Sequence, residues 1–136
     1  MKITREEDYA ITLINALAEH YDDQEYLGLR RIAHSHHLPE LFLKQIAKKL
    51  KQAGLLKVKE GRGGGYRLAK PPQQISLEKV LRVFSPQPFL TSCLDTNHKI
   101  KCALYHRCQS RKAWQKISQQ FYRSLKNINF EKLTKN

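Results

Sequence analysis

The chain has 136 residues, enough for one domain or for one domain with an oligomerisation appendage. Its hydrophobic content of 40% supports one modest core, and no apolar stretch approaches a transmembrane span, so no membrane partner is expected. MKITREEDYA places acids where a signal peptide needs an apolar run, which predicts a cytoplasmic chain. The net charge of +13, from 25 basic and 12 acidic residues, favours a polyanion partner such as nucleic acid. That charge is segregated: residues 44–70 hold nine Lys or Arg against the single acid Glu60, and residues 99–126 hold eight and no acid.

Thr4 followed by Glu7 is a capping-box pattern, so a helix is predicted from near Arg5 to near Tyr21, with Ala10, Leu13, Ile14, Leu17 and Ala18 inward. A short helix is predicted from Leu29 to about Ser35. HHLP breaks it, and Pro39 suits the first turn of a third helix that runs to Ala53, where Gly54 stops it. Leu43, Ile46, Ala47 and Leu50 share the inner face of that helix. Two short helices joined by a tight turn, the second strongly basic, form a helix-turn-helix candidate over about 29–53. LLKVKE and YRLA then read as strands around GRGGG, a basic-tipped hairpin over 55–70 that serves as a wing. ISLEKVLRVF reads as a helix capped by Ser76. After a loop over 86–109, a long helix is predicted to about Asn127, with Trp114, Ile117, Phe121, Leu125 and Ile128 on one apolar stripe. The stripe needs a cover, either its own core or a second copy, and pairing with a second copy suits a protein that reads two half-sites. The fold class is therefore mainly α with a small β-hairpin wing. A winged helix-turn-helix domain (1–85) precedes the cysteine loop (86–109), and a dimerisation helix and tail (110–136) follow.

The N-terminal residues of a recognition helix face base edges in the major groove; here they are Glu40, Leu41, Lys44, Gln45 and Lys48. Lys44 can donate to guanine and Gln45 suits adenine, whereas Lys48, Lys49 and Lys51 are better placed for phosphates. Phe42 fits either the core or a thymine methyl. Arg62, between Gly61 and Gly63 at the hairpin tip, can enter a minor groove.

Residues 93–108, CLDTNHKIKCALYHRC, contain all three cysteines, an odd number that cannot pair fully within one molecule. In a reducing compartment such clusters more often bind metal or act in redox chemistry than form disulfides. C-x8-C-x5-C is not a structural-zinc spacing, because zinc sites usually carry close cysteine pairs. MKIT…DYA at the start, QAGLL after the recognition helix, GRGGGYRLAKPP with a following IS-x-x-x-V, three cysteines before a long helix, and NINFEKL near the end occur in one order. Over nearly the whole chain this order resembles the IscR, NsrR and RirA group of bacterial transcription regulators. The resemblance implies a homodimer that binds double-stranded palindromic promoter DNA, with residues 110–127 at the dimer interface. It also implies that Cys93, Cys102 and Cys108 ligate an iron–sulfur cluster, 4Fe–4S or 2Fe–2S, responsive to nitric oxide, oxygen or iron status. Thiolates are the usual protein ligands of such clusters. The first cysteine gap is longer than the five residues most common in the group.

Some members of the group use a histidine three residues after the third cysteine. Here that position is Arg111, which cannot ligate. Others use an acid in the partner's first helix, and the matching residue is Asp8. In its own chain Asp8 also fits the helix dipole, beside Glu6 and Glu7. His106 is the alternative fourth ligand, and His98 a further one; His34, His36 and His37 read as surface or phosphate-contacting residues. Two other functions stand beside the cluster regulator. One keeps the DNA-binding fold but places a structural zinc or a thiol redox switch in the loop. The other is a small iron–sulfur enzyme or electron carrier, against which the sequence shows no phosphate loop, no carboxylate pair and no activated nucleophile.

Overall fold

The computed structural model describes residues 2–86, 90–95 and 102–135. It is mainly helical with one antiparallel hairpin. Helix α1 spans Arg5–Glu19 and opens with the predicted capping box: Glu7 N–H donates to Thr4 Oγ1 at 3.2 Å, and Thr4 N–H donates to the Glu7 carboxylate at 2.7 Å. Helix α2, Leu29–Ser35, packs on helix α3, Glu40–Gln52, which in turn packs on α1. His37 turns the chain between them at a φ of 53°. Pro39 is the residue before α3 and not part of its first turn; its carbonyl accepts Leu43 N–H at 2.9 Å. Helix α3 ends in a Schellman arrangement, in which Leu55 N–H reaches Leu50 O at 3.0 Å and Gly54 N–H reaches Lys51 O at 2.9 Å.

Strands β1, Leu56–Lys59, and β2, Gly65–Leu68, pair in register Leu56↔Leu68 and Val58↔Tyr66. Leu27 joins the far edge of β2 through two bonds to Tyr66, of 2.9 and 2.8 Å. This fixes why residue 65 is glycine: a Cβ there would lie 2.3 Å from the Leu27 carbonyl oxygen. The hairpin is thus tied to the body along β2, close to its turn, and residues 60–63 of that turn are exposed.

Helix α4, Leu77–Phe84, is capped by the Ser76 hydroxyl, which accepts Lys79 N–H at 3.3 Å. Helix α5, Gln109–Asn127, follows the cysteine loop and packs on α4. The chain then returns. Ile128 O accepts Leu77 N–H at 2.9 Å, Phe130 N–H donates to Ile75 O at 3.1 Å, and a short helix α6, Phe130–Thr134, packs on α1. Phe130 is fully buried beside Leu13, Leu17, Leu43, Ile46, Leu50 and Val80. The sequence grouped this segment with the dimerisation helix as a tail; its first residue is instead a core residue of the winged-helix body.

Candidate nucleic-acid interface and cysteine loop

Helix α3 turns Leu43, Ile46, Ala47 and Leu50 into the core, and this fixes its outward face. Lys44, Lys48 and Lys51 line one cleft of about 550 Å³ together with Glu40, Arg30, Val58, Glu60 and Tyr66. The cleft therefore runs between the start of α2, the exposed face of α3 and the base of the wing. Leu41 is 77% exposed at the leading end of α3. Gln45 is exposed, and Lys44 pairs with Glu40 at 3.3 Å. Arg62 is exposed at the wing tip, between glycines at φ of 85° and 69°. Arg30 belongs to the same basic face; the sequence reading did not single it out, although its place at the start of α2 was legible.

Two residues of α3 face elsewhere. Lys49, grouped by sequence with the phosphate-contacting lysines, forms an ion pair with Glu6 of α1 and lies over the Phe84 ring at 5.6 Å. Phe42 is half-buried and meets Tyr9 edge-on at 5.6 Å, so it packs toward α1.

All three cysteines are free thiols. Cys93 lies half-buried in a single 3₁₀ turn, Ser92–Leu94, with its Sγ 3.1 Å from Thr91 Oγ1. Cys102 is exposed. Cys108 caps α5: its Sγ accepts Arg111 N–H at 3.3 Å. Arg111 reaches back across the loop, donating from Nε to Cys93 O at 3.4 Å and from Nη2 to Tyr105 Oη at 3.0 Å. Among the described residues no three His, Cys, Asp or Glu groups converge as a metal site. The donor chemistry fits a soft-metal centre all the same: three uncrosslinked thiols border one loop beside a fixed cation. His106 is exposed and stacks edge-on against Tyr105, away from any third ligand among the described residues. His98, Lys99 and Lys101 lie outside the described residues.

The three acids of the first turn of α1 have separate fates. Glu6 pairs with Lys49. Glu7 is 2% exposed and accepts a 2.6 Å hydrogen bond from Ser85 Oγ, at the end of α4. Burial alone would raise its pKa, but bonds from Ser85 and Thr4 outweigh burial and hold the carboxyl below its ordinary range. Asp8 is exposed, and among the described residues its carboxylate has no hydrogen-bond or ion-pair partner.

The predicted interface stripe splits along α5. Trp114, Ile117 and Phe121 are exposed, and Ile117 and Phe121 line an apolar cleft of about 250 Å³ with Ile3 and Leu90. Leu125 is buried within its own chain and Ile128 is half-buried.

Residues 3–136 match the sequence pattern of one protein family, described as an iron-dependent transcriptional regulator. The chain belongs to the Rrf2 family. The HTH-type transcriptional regulator IscR of Vibrio cholerae is 30% identical over 133 residues, covering 98% of this chain and 75% of that one. Among solved structures, CymR, the global cysteine regulator of B. subtilis, superposes with a TM-score of 0.81 at 25% identity, over 99% of this chain and 97% of that one. IscR of T. potens gives a TM-score of 0.76 at 25% identity, over 99% and 87%. This Rrf2 protein is accordingly a DNA-binding transcription regulator and not an enzyme, which disposes of the electron-carrier reading. Among its described residues no helix is long and apolar enough to cross a membrane.

Proposed function

We propose that this Rrf2 regulator works as a homodimer on palindromic promoter DNA, and that an iron–sulfur cluster held by Cys93, Cys102 and Cys108 controls its binding. The observation that carries the reading is the loop itself: three free thiols, two of them tied to the start of α5 through Arg111. Asp8 of the partner subunit would complete the ligand set. In support, Asp8 is the one acid of its turn with no partner in its own chain among the described residues, while Glu6 and Glu7 are engaged. The group would supply a centre open to nitric oxide, oxygen or iron loss, and the oxygen ligand would make it labile.

On this reading Lys44, Gln45 and Leu41 meet base edges, with Lys48, Lys51 and Arg30 on the phosphates and Arg62 at the minor groove. The exposed face of Trp114, Ile117 and Phe121 pairs two copies. A line of contacts leads from the loop to the recognition helix. Ser85, where the chain leaves α4 for the loop, holds Glu7; the neighbouring Glu6 holds Lys49 on α3.

A second reading rests on the CymR likeness: the loop acts as a thiol switch, or binds zinc, without a cluster. Anaerobic purification followed by visible absorption and by assays for iron, zinc and acid-labile sulfide separates the two. Iron with sulfide, lost in Cys102→Ala while the dimer stays folded, is the expected result. A colourless protein that gains an internal disulfide on oxidation, even after cluster reconstitution is attempted, would establish the thiol switch instead.

A further inference from the structure

Arg111, in the first turn of α5, joins three described pieces of the cysteine loop. Its backbone N–H meets Cys108 Sγ at 3.3 Å, and its Nε meets the Cys93 carbonyl oxygen at 3.4 Å, across eighteen residues of chain. Its Nη2 donates to Tyr105 Oη at 3.0 Å, and the guanidinium carbon lies 4.0 Å from the Tyr105 ring centroid. Tyr105 N–H in turn donates to Cys102 O at 3.1 Å. The half-buried guanidinium therefore ties the Cys93 turn to Tyr105 and, through Tyr105, to the Cys102 turn, while the backbone N–H of the same residue holds the Cys108 cap. We infer that Arg111 is the positioning residue of the three-thiol site, gathering its three turns before any metal arrives.

Two physical effects point the same way. Thiolates drawn toward one point repel each other, and a guanidinium that never loses its proton offsets that repulsion. Its planar fork and its stacking on Tyr105 fix direction as well as charge, which a lysine could not do. Turns already held to one another lose less freedom when a metal draws their thiols together. Arg111 thus has a task of its own at the position where some relatives of this type are expected to carry a ligand.

The inference rests on the three cysteines forming one metal site, so the test uses a probe that needs no native cluster. Full-length metal-free protein is titrated with Cd2+ and followed by thiolate-to-metal charge-transfer absorbance. Wild type, Arg111→Ala, Arg111→Lys and Cys102→Ala are compared, each with its Tm. The wild type should bind Cd2+ more tightly than Cys102→Ala, and both Arg111 variants should bind about tenfold or more weakly than wild type at unchanged Tm, the usual scale for losing a residue that orients metal ligands. If Cys102→Ala binds as tightly as wild type, the three-thiol site fails and takes the inference with it. If Cys102→Ala is weakened but Arg111→Ala matches wild type, the role of Arg111 alone is refuted. Weakening that merely follows a lowered Tm would make Arg111 a stability residue, and full recovery by lysine would leave no role for the fork; either overturns the inference.

Discussion

Lysines 48, 49 and 51 look alike in sequence, and the structure places them on two faces of α3. Lys48 and Lys51 line the basic cleft with Lys44, whereas Lys49 pairs with Glu6 and sits over Phe84. Each phosphate contact removed makes the plot of log K against log salt shallower by about 0.9, so one substitution in a proposed dimer, which removes two contacts, should flatten it by about 1.8. Between about 50 and 200 mM salt that slope is worth about a twelvefold change in relative affinity. Lys48→Ala and Lys51→Ala should each show it in fluorescence anisotropy with duplex DNA over a salt series. Lys49→Ala should leave the slope alone. It should cost at most about 1 kcal/mol of stability, because the Glu6–Lys49 pair is substantially exposed to solvent. A slope lowered equally by Lys49→Ala and Lys48→Ala would refute the assigned face of α3.

Gly65→Ala should lift the wing from the body, since its Cβ would meet the Leu27 carbonyl at 2.3 Å where φ is 147°; urea unfolding should register a loss of about 1–3 kcal/mol, and an unchanged midpoint would mean that the strand edge yields freely. Phe130→Ala empties a fully buried core site on the helix that packs against α1 and should cost about 3–5 kcal/mol by the same measurement. A near-neutral result would show that α6 is dispensable to the core. Glu7, whose folded pKa is depressed, contributes stability present above its unfolded value near 4.5 and lost as pH falls through the folded value. Wild-type stability should therefore fall on acidification from about pH 5 to 3 more steeply than that of Glu7→Gln, and parallel profiles would argue against the Ser85–Glu7 bond.

The winged-helix body was legible because its signals are local. Thr4 and Glu7 lie three apart, Leu43, Ile46 and Leu50 repeat within one helix, and Gly54 stops α3 by its own backbone freedom. Arrangements set by distant partners were not legible. Glu7 reads as one of three solvated acids until Ser85, 78 residues away, is seen to hold it. Phe130 begins a helix of five residues, too short for a periodic signal, and its burial depends on α1 and on the Ile75 carbonyl. Lys49 could have been placed. Residues 44, 48 and 51 share a helical face, and 49 lies about 100° round from 48, toward the body. The hub formed by Arg111 had no sequence signal, since it joins Cys93 to Tyr105 through main-chain and stacking contacts.

The division of α5 bears on the proposed dimer. Its C-terminal half is anchored, with Leu125 buried in its own chain, so the helix cannot roll to hide the other half. Trp114, Ile117 and Phe121 remain exposed at the end capped by Cys108, and Ile3, just ahead of α1, joins their cleft. A two-fold interface over this patch would repeat the same surface on both copies. Each copy's first turn of α1 and each cysteine loop would then lie along one seam, the arrangement that donation of Asp8 across the dimer requires. Ile117→Glu would bury a carboxylate in that seam, so sedimentation should show monomers and the protein should lose its iron together with its dimer. Monomers that keep a full complement of iron and sulfide would detach the cluster from the interface and leave Cys93, Cys102 and Cys108 to hold it within one chain.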